Sequence, residues 1–202
     1  MHGIATSSPK EPEHFTQSKC KRYEKSFTRT DLITVDATPS GYSKTAPKKV
    51  FESNPDCKFI YIVRNPVQRF FSAYAMYGSR VNEHGLEWRI NYEIKQYLDN
   101  PDQENKIGLL TRGIYIDVIN SLLQYFPKDQ VLILSFDELI NGSKLLYQQL
   151  SEYIGVELPN KPFPRANGKS RGNRDQTNNQ LEEFYQPYNE QLFNYCQRQM
   201  YD

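Results

Sequence analysis

Arg64 closes the apolar run Phe59, Ile60, Tyr61, Ile62, Val63, and Ser72 follows it eight residues later. A guanidinium offers a fixed fork of donors and a hydroxyl adds one more. An arginine at a strand end and a serine on the next helix can therefore hold a phosphate between them. Read alone, the pair also allows a plainer account in which Arg64 meets a surface carboxylate and Ser72 is solvated. A second basic element, Asn167, Gly168, Lys169, Ser170, Arg171, Gly172, Asn173, Arg174, places three cations and two glycines in one stretch. Backbone amides and side chains there can close over an anion together. In isolation it reads more simply as a solvated basic linker.

Both elements need a scaffold. The run from Phe59 to Val63 is continuous and β-favouring, as expected of a strand covered on both faces of a parallel sheet, and Cys57 is expected to lead into it. Asn65 is a good N-cap and Pro66 suits the first helical position. Val67, Phe70, Phe71, Tyr74 and Ala75 then form one apolar stripe, which leaves Arg69, Ser72 and Met76 on the opposite face, away from the core. Further strands are expected at Leu32–Val35 and Val131–Leu134, and a short helix at Pro47–Ser53. The spacing of Leu110, Ile114, Val118 and Leu122 predicts one long amphipathic helix ending near Phe126. Another helix carries Leu146, Leu150, Tyr153 and Ile154. Gly155 to Asn178 reads as a loop, and Gln180 to Met200 as a helix broken near Pro187. Alternating strands and helices of this kind define an α/β layered domain with a parallel sheet. In such sheets ligands bind beyond the carboxyl ends of the strands, where Arg64 sits.

Composition narrows the function. The chain has 202 residues, with 25 Lys plus Arg against 24 Asp plus Glu. That balance argues against coating nucleic acid or an anionic membrane through bulk charge, so any anion affinity must come from a few placed residues. No stretch approaches the roughly 18 apolar residues of a membrane span, and Met1 to Lys10 lacks a signal-peptide block. As written, the chain is expected to be soluble and cytoplasmic, with the Golgi lumen open should an anchor precede it. Cys20, Cys57 and Cys196 form no metal-ligand cluster, and no metal is expected.

These residues resemble a known family. KFIYIVRNPVQRFFSAY, Lys58 to Tyr74, is similar to the strand, turn and helix of sulfotransferases that use 3′-phosphoadenosine 5′-phosphosulfate (PAPS), with every fixed position of R-[ND]-P-x-x-R-x-x-S-x-Y matched. GKSRG at Gly168 to Gly172, then LEEFYQPYNEQLF at Leu181 to Phe193, resembles the cofactor-covering loop and last helix of the heparan sulfate branch. Leu109 to Leu139 resembles the middle of the same fold.

The resemblance implies that Arg64 and Ser72 bind the 3′-phosphate of the donor, with Lys169, Arg171, Gly172, Asn173 and Arg174 closing over it. It implies a hydroxyl or amine acceptor, most naturally on a carbohydrate. Lys10 to Phe15 is similar to the segment where the family keeps a general base, which maps to Glu11. A carboxylate suits that work because the acceptor loses a proton as it attacks sulfur. As a residue alone, Glu11 is equally an exposed charge near a chain end. His14, beside Phe15, reads as packed or surface and is left out of the chemistry.

The sequence also departs from the family. Ala37 stands where some heparan-type members have a lysine, and the paired cysteines of the animal heparan enzymes are missing. No K-x-G-[ST] loop for the 5′-phosphosulfate precedes Lys10. The expected architecture is therefore one three-layer, P-loop-type domain over residues 1–202 that starts one β-loop-α unit late, which would leave apolar sheet surface uncovered. Two other readings stay open: a non-catalytic remnant that binds adenosine 3′,5′-bisphosphate or acts as an interaction module, and a different nucleotide enzyme such as a kinase. The kinase is disfavoured because no G-x-x-x-x-G-K-[ST] is present. The region from Arg80 to Lys106, with Trp88, is a plausible contributor to an acceptor cleft.

Overall fold

The computed structural model describes residues 3–8, 15, 23–29, 31–38, 44–77, 84–101, 108–159 and 177–199. Among these the strands are β1 (Ile4–Thr6), β2 (Ile33–Val35), β3 (Phe59–Val63) and β4 (Val131–Ser135). The α-helices are α1 (Ala46–Ser53), α2 (Pro66–Tyr77), α3 (Leu86–Asp99), α4 (Tyr115–Leu123), α5 (Phe136–Asn141), α6 (Lys144–Ile154) and α7 (Asn179–Gln199). Strand β1, which the sequence reading did not anticipate, pairs in parallel with β2, Ile4 opposite Ile33 and Thr6 opposite Val35. Strand β3 pairs with β4. The chain divides into two compact units, Met1–Ile62 with Ser121–Phe163 and Val63–Asn120 with Pro164–Asp202.

In the first unit, Leu134, Leu146 and Leu150 form a buried cluster joined by Leu132, Leu139, Ile154 and Leu158. Phe126 is packed edge-on by Phe59 and Phe51, with ring centroids at 4.6 and 5.5 Å. Tyr153 fixes the start of β3: its hydroxyl accepts the Phe59 amide at 3.1 Å and donates to the Phe59 carbonyl at 2.9 Å. Gly155 ends α6 at φ 78°, a left-handed conformation glycine adopts without a Cβ penalty. Cys57 lies two residues ahead of β3 and is half-buried.

The expectation that β3 is covered on both faces is not met. Its exposure alternates, with Ile60 and Ile62 at 41% and 46%, and Ile33 on β2 at 41%. The continuous apolar run specified a strand, but in the two-stranded β3–β4 sheet side chains at alternate positions are packed and those between them remain open.

The second unit is built around Val67, Phe70, Phe71, Ile90, Leu109, Leu110, Ile114, Ile116, Leu181 and Tyr185. The apolar stripe expected on α2 is the face it buries. The single helix expected from Leu110 to Phe126 is instead a 3-10 turn at Thr111–Gly113 followed by α4. The Leu110 carbonyl accepts both the Gly113 amide at 2.9 Å and the Tyr185 hydroxyl at 2.8 Å, which ties down the tighter turn. The expected break near Pro187 is likewise absent, since α7 runs continuously through it. Pro187 is exposed, and the buried Leu181 and Tyr185 with the partly buried Tyr188 and Leu192 hold the helix on both sides of it. No helix among the described residues is long and apolar enough to cross a membrane.

Candidate functional site

Arg64 occupies the junction between β3 and α2, partly buried, as the sequence implies. Asn65 caps the helix through its side chain, Oδ1 accepting the Gln68 amide at 3.0 Å, and Pro66 is the first helical residue. Ser72 lies on the exposed side of α2, opposite the buried Val67, Phe70 and Phe71. A strand end, a capped helix start and a solvent-facing hydroxyl thus occur in one continuous segment.

Arg69 does not behave as expected. Helical angles place it with Ser72 and Met76 away from the core, yet its guanidinium turns inward and donates to the Leu109 carbonyl. Its Nε is buried without a hydrogen-bond partner. The long side chain lets a residue on the flank of the apolar stripe reach past it, which helical angles alone do not convey.

Tyr115 links this arginine to the strand end. Its hydroxyl is hydrogen-bonded to the Arg64 backbone, burial pushes its phenol up, and the Arg69 and Arg64 charges pull in the opposite direction. Burial also pushes the Tyr185 phenol far up, with Arg69 opposing. Two guanidiniums and two phenols therefore crowd behind the β3–α2 turn. Arg112 adds a third cation nearby in sequence, its Nη1 donating to the Tyr77 hydroxyl at 2.9 Å.

A buried ion pair pins α3 into the same unit. Glu93, 3% exposed, takes Arg89 Nη2 at 2.6 Å and Arg89 Nε at 2.7 Å on Oε1, and the Leu110 amide at 2.7 Å on Oε2. Both carboxylate oxygens are thus satisfied, as a buried charge requires. The inward contacts of Glu93, Arg69, Tyr115 and Tyr185 are not readable from the sequence. One signal was available: Leu86, Ile90, Glu93, Ile94 and Tyr97 form a helical stripe in which a carboxylate stands at an apolar position.

Glu11, Lys169, Arg171, Gly172, Asn173 and Arg174 lie outside the described residues, as do Lys10 and His14. Ala37 is exposed beside Asp36, whose carboxylate accepts the Tyr23 hydroxyl at 3.0 Å and the Thr38 amide at 2.8 Å. Among the described residues no group of three or more His, Cys, Asp or Glu is arranged to hold a metal.

In open α/β sheets ligands bind beyond the carboxyl ends of the strands, which is where Arg64 stands. The sulfotransferase domain profile matches residues 34–194, and the chain belongs to that family. A human heparan sulfate glucosamine 3-O-sulfotransferase 6 is 27% identical over 188 residues, covering 80% of this chain and 54% of the relative. A mouse heparan sulfate glucosamine 3-O-sulfotransferase 3B1 is 23% identical, covering 80% and 47%. The chain thus spans about half the length of the curated relatives it matches. The crystal structure of a sulfotransferase from Alicyclobacillus acidocaldarius superposes with a TM-score of 0.67 at 16% identity, covering 92% of this chain and 82% of the other, so the fold is that of a sulfotransferase.

Proposed function

We propose that this protein transfers a sulfuryl group from PAPS to a hydroxyl or amine of a carbohydrate, and that both compact units belong to one sulfotransferase domain. The family match, which runs from residue 34 to 194 and so passes through both units, supports the single-domain reading. The observation that carries the donor assignment is the β3–α2 segment, with Arg64 at the strand end and Ser72 exposed on the capped helix.

The donor set fits a phosphate dianion: one guanidinium at a strand end whose backbone is hydrogen-bonded to Tyr115, and one exposed hydroxyl. Arg64 and Ser72 bind the 3′-phosphate, and Lys169, Arg171, Gly172, Asn173 and Arg174 close over the nucleotide. Glu11 accepts the proton of the acceptor as its oxygen or nitrogen attacks sulfur and the bond from sulfur to the 5′-phosphate breaks. PAPS supplies the sulfuryl group and leaves as adenosine 3′,5′-bisphosphate. The carbohydrate acceptor is suggested by the relatives, which are named for glucosamine 3-O-sulfation of heparan sulfate.

Calorimetric titration with adenosine 3′,5′-bisphosphate tests the reading. Arg64→Ala should weaken binding about 10-fold to 100-fold, the value of a charge-assisted contact, and Ser72→Ala about 3-fold to 10-fold. Unchanged affinity in both variants, or a preference for ATP, would overturn it. In an active preparation Glu11→Gln should lower turnover by at least about 100-fold.

A further inference from the structure

Helix α3 carries an aromatic ladder on the side away from its buried stripe. Trp88 and Tyr92 are 43% and 39% exposed, yet their rings are parallel to within 10° with centroids 4.8 Å apart. The two rings are stacked, and at these exposures both keep surface open to solvent. His84, just ahead of the helix, sits 4.4 Å from Trp88 at a tilt of 51°. The spacing 84, 88, 92 repeats every four residues and so stays on one side of the helix.

The ladder is held firmly. Ile90 is 1% exposed and Glu93 3% exposed on the opposite side, and Arg89 both pairs with Glu93 and lies 6.0 Å from the Tyr92 ring centroid. Large apolar rings exposed on a pinned helix mark a binding surface more readily than scattered surface residues do. The ladder also lies in the same compact unit as Arg64 and Ser72.

We propose that Trp88 and Tyr92, with His84 at one end, form an acceptor subsite that seats the C–H face of a pyranose ring of an uncharged or sparsely charged glycan. The proposal rests on the carbohydrate acceptor proposed above. The C–H face of a sugar is apolar and faintly positive, which complements the negative face of an aromatic ring, while the indole N–H and phenol O–H reach the ring hydroxyls. Charge sets the rest. Within α3, Glu87, Glu93 and Asp99 against Arg89 and Lys95 give three negatives and two positives, a net −1. The positive charge of Arg89 is already met by Glu93. A helix of that balance offers no net positive charge to a polyanionic chain and is indifferent to a neutral one.

Trp88 is the single tryptophan of the chain, so its emission reports on the ladder alone. The whole chain is titrated with cellohexaose, chitohexaose and a heparin-derived hexasaccharide while emission is followed, and adenosine 3′,5′-bisphosphate affinity is measured in parallel. A neutral hexasaccharide should shift or quench the emission. Tyr92→Ala should weaken that response about tenfold, and Trp88→Ala should remove the heat of sugar binding while leaving bisphosphate affinity unchanged. The proposal is overturned if neither neutral sugar changes the emission while the bisphosphate binds, if only the sulfated hexasaccharide does so, or if dilution alone shifts the emission, which would assign the ladder to contact between copies of the chain. A sugar response with no bisphosphate binding would remove the donor assignment and leave the subsite standing.

Discussion

The two compact units differ in whether they bury charge. The first relies on short strands and aliphatic packing, with Leu134, Leu146 and Leu150 inside and Ile33, Ile60 and Ile62 left at 41–46% exposure on its strands. The second buries charge and hydroxyl groups among its apolar side chains: Glu93 against Arg89, Arg69 against the Leu109 carbonyl, Tyr185 against the Leu110 carbonyl. Polar pins of this sort contribute little net stability compared with apolar packing, but they fix geometry, because each has few satisfactory alternatives. In the unit that carries Arg64, Ser72 and the aromatic ladder, side-chain hydrogen bonds set the backbone from Leu109 to Gly113, as Tyr153 sets the start of β3 in the first unit.

The sharpest way to break this contrast is at Glu93. Glu93→Ala leaves Arg89 and the Leu110 amide buried without their partner, and should cost about 3–5 kcal/mol. At roughly 2–4 °C per kcal/mol for a chain of this size, the calorimetric transition should fall by about 6–20 °C. Arg89→Met combined with Glu93→Leu removes both charges and should cost less than Glu93→Ala alone. An equal or larger loss in the double variant would mean that the pair supplies stability rather than geometry.

Gly113 tests the same region through shape. A Cβ built there would meet the Tyr185 hydroxyl at 2.8 Å and two ring carbons at 2.9 Å. Tyr185 is fully buried and hydrogen-bonded, so its ring has little room to give. Gly113→Ala should therefore cost about 1–3 kcal/mol by urea denaturation, and the penalty should shrink in a Tyr185→Leu background. A penalty independent of the residue at 185 would place its origin in the backbone of the 3-10 turn instead.

The first unit has its own signature, at alkaline pH. Burial and then the Asp36 charge push the Cys57 thiol up from 9.0 to about 11, and burial pushes the Tyr153 phenol up from 10.0 to about 12. Both groups stay protonated in the folded chain while the unfolded chain ionises. Their stabilising effect is complete below about pH 9 and is lost as pH rises toward 12. Discounted for partial exposure, the Cys57 share should lower the transition of the chain by about 2–6 °C between pH 8 and pH 11. Cys57→Ser should flatten that part of the profile, and an unchanged slope would sink the assignment.

Much of this architecture was legible because periodicity reports which side of an element is buried. The run at Phe59–Val63, the cap at Asn65, the stripe on α2 and the strand at Val131 all follow from residue type and spacing. What was not legible depends on contacts distant in sequence. The 3-10 turn at Thr111–Gly113 exists because Tyr185 reaches back to Leu110 from 75 residues away. Arg69 is drawn inward by a carbonyl 40 residues on. Pro187 is carried through α7 because tertiary packing outweighs a local preference. Strand β1 is three residues long, too short for alternation to register. Of the candidate site, the strand-end arginine and the helix hydroxyl were readable, whereas the phenols and the buried ion pair behind them were not.

The smallest expected effect bears on the exposed isoleucines, and it sharpens the contrast by its very size. Ile60 and Ile62 project from the open side of β3, so replacing each with threonine keeps the β-branched shape that suits a strand and removes apolar surface already in contact with water. Each single change should alter stability by no more than about 0.5 kcal/mol. Val67→Ala, Phe70→Ala or Leu181→Ala, each at a position at most 5% exposed in the second unit, should cost several times as much. The two isoleucine changes should also reduce the tendency of the chain to self-associate at high concentration, read by light scattering, because exposed apolar side chains on one strand face favour hydrophobic association. A loss above about 2 kcal/mol at Ile60 or Ile62 would mean that this side of the strand is covered in solution, and the contrast between the open strand face of the first unit and the buried core of the second would no longer hold.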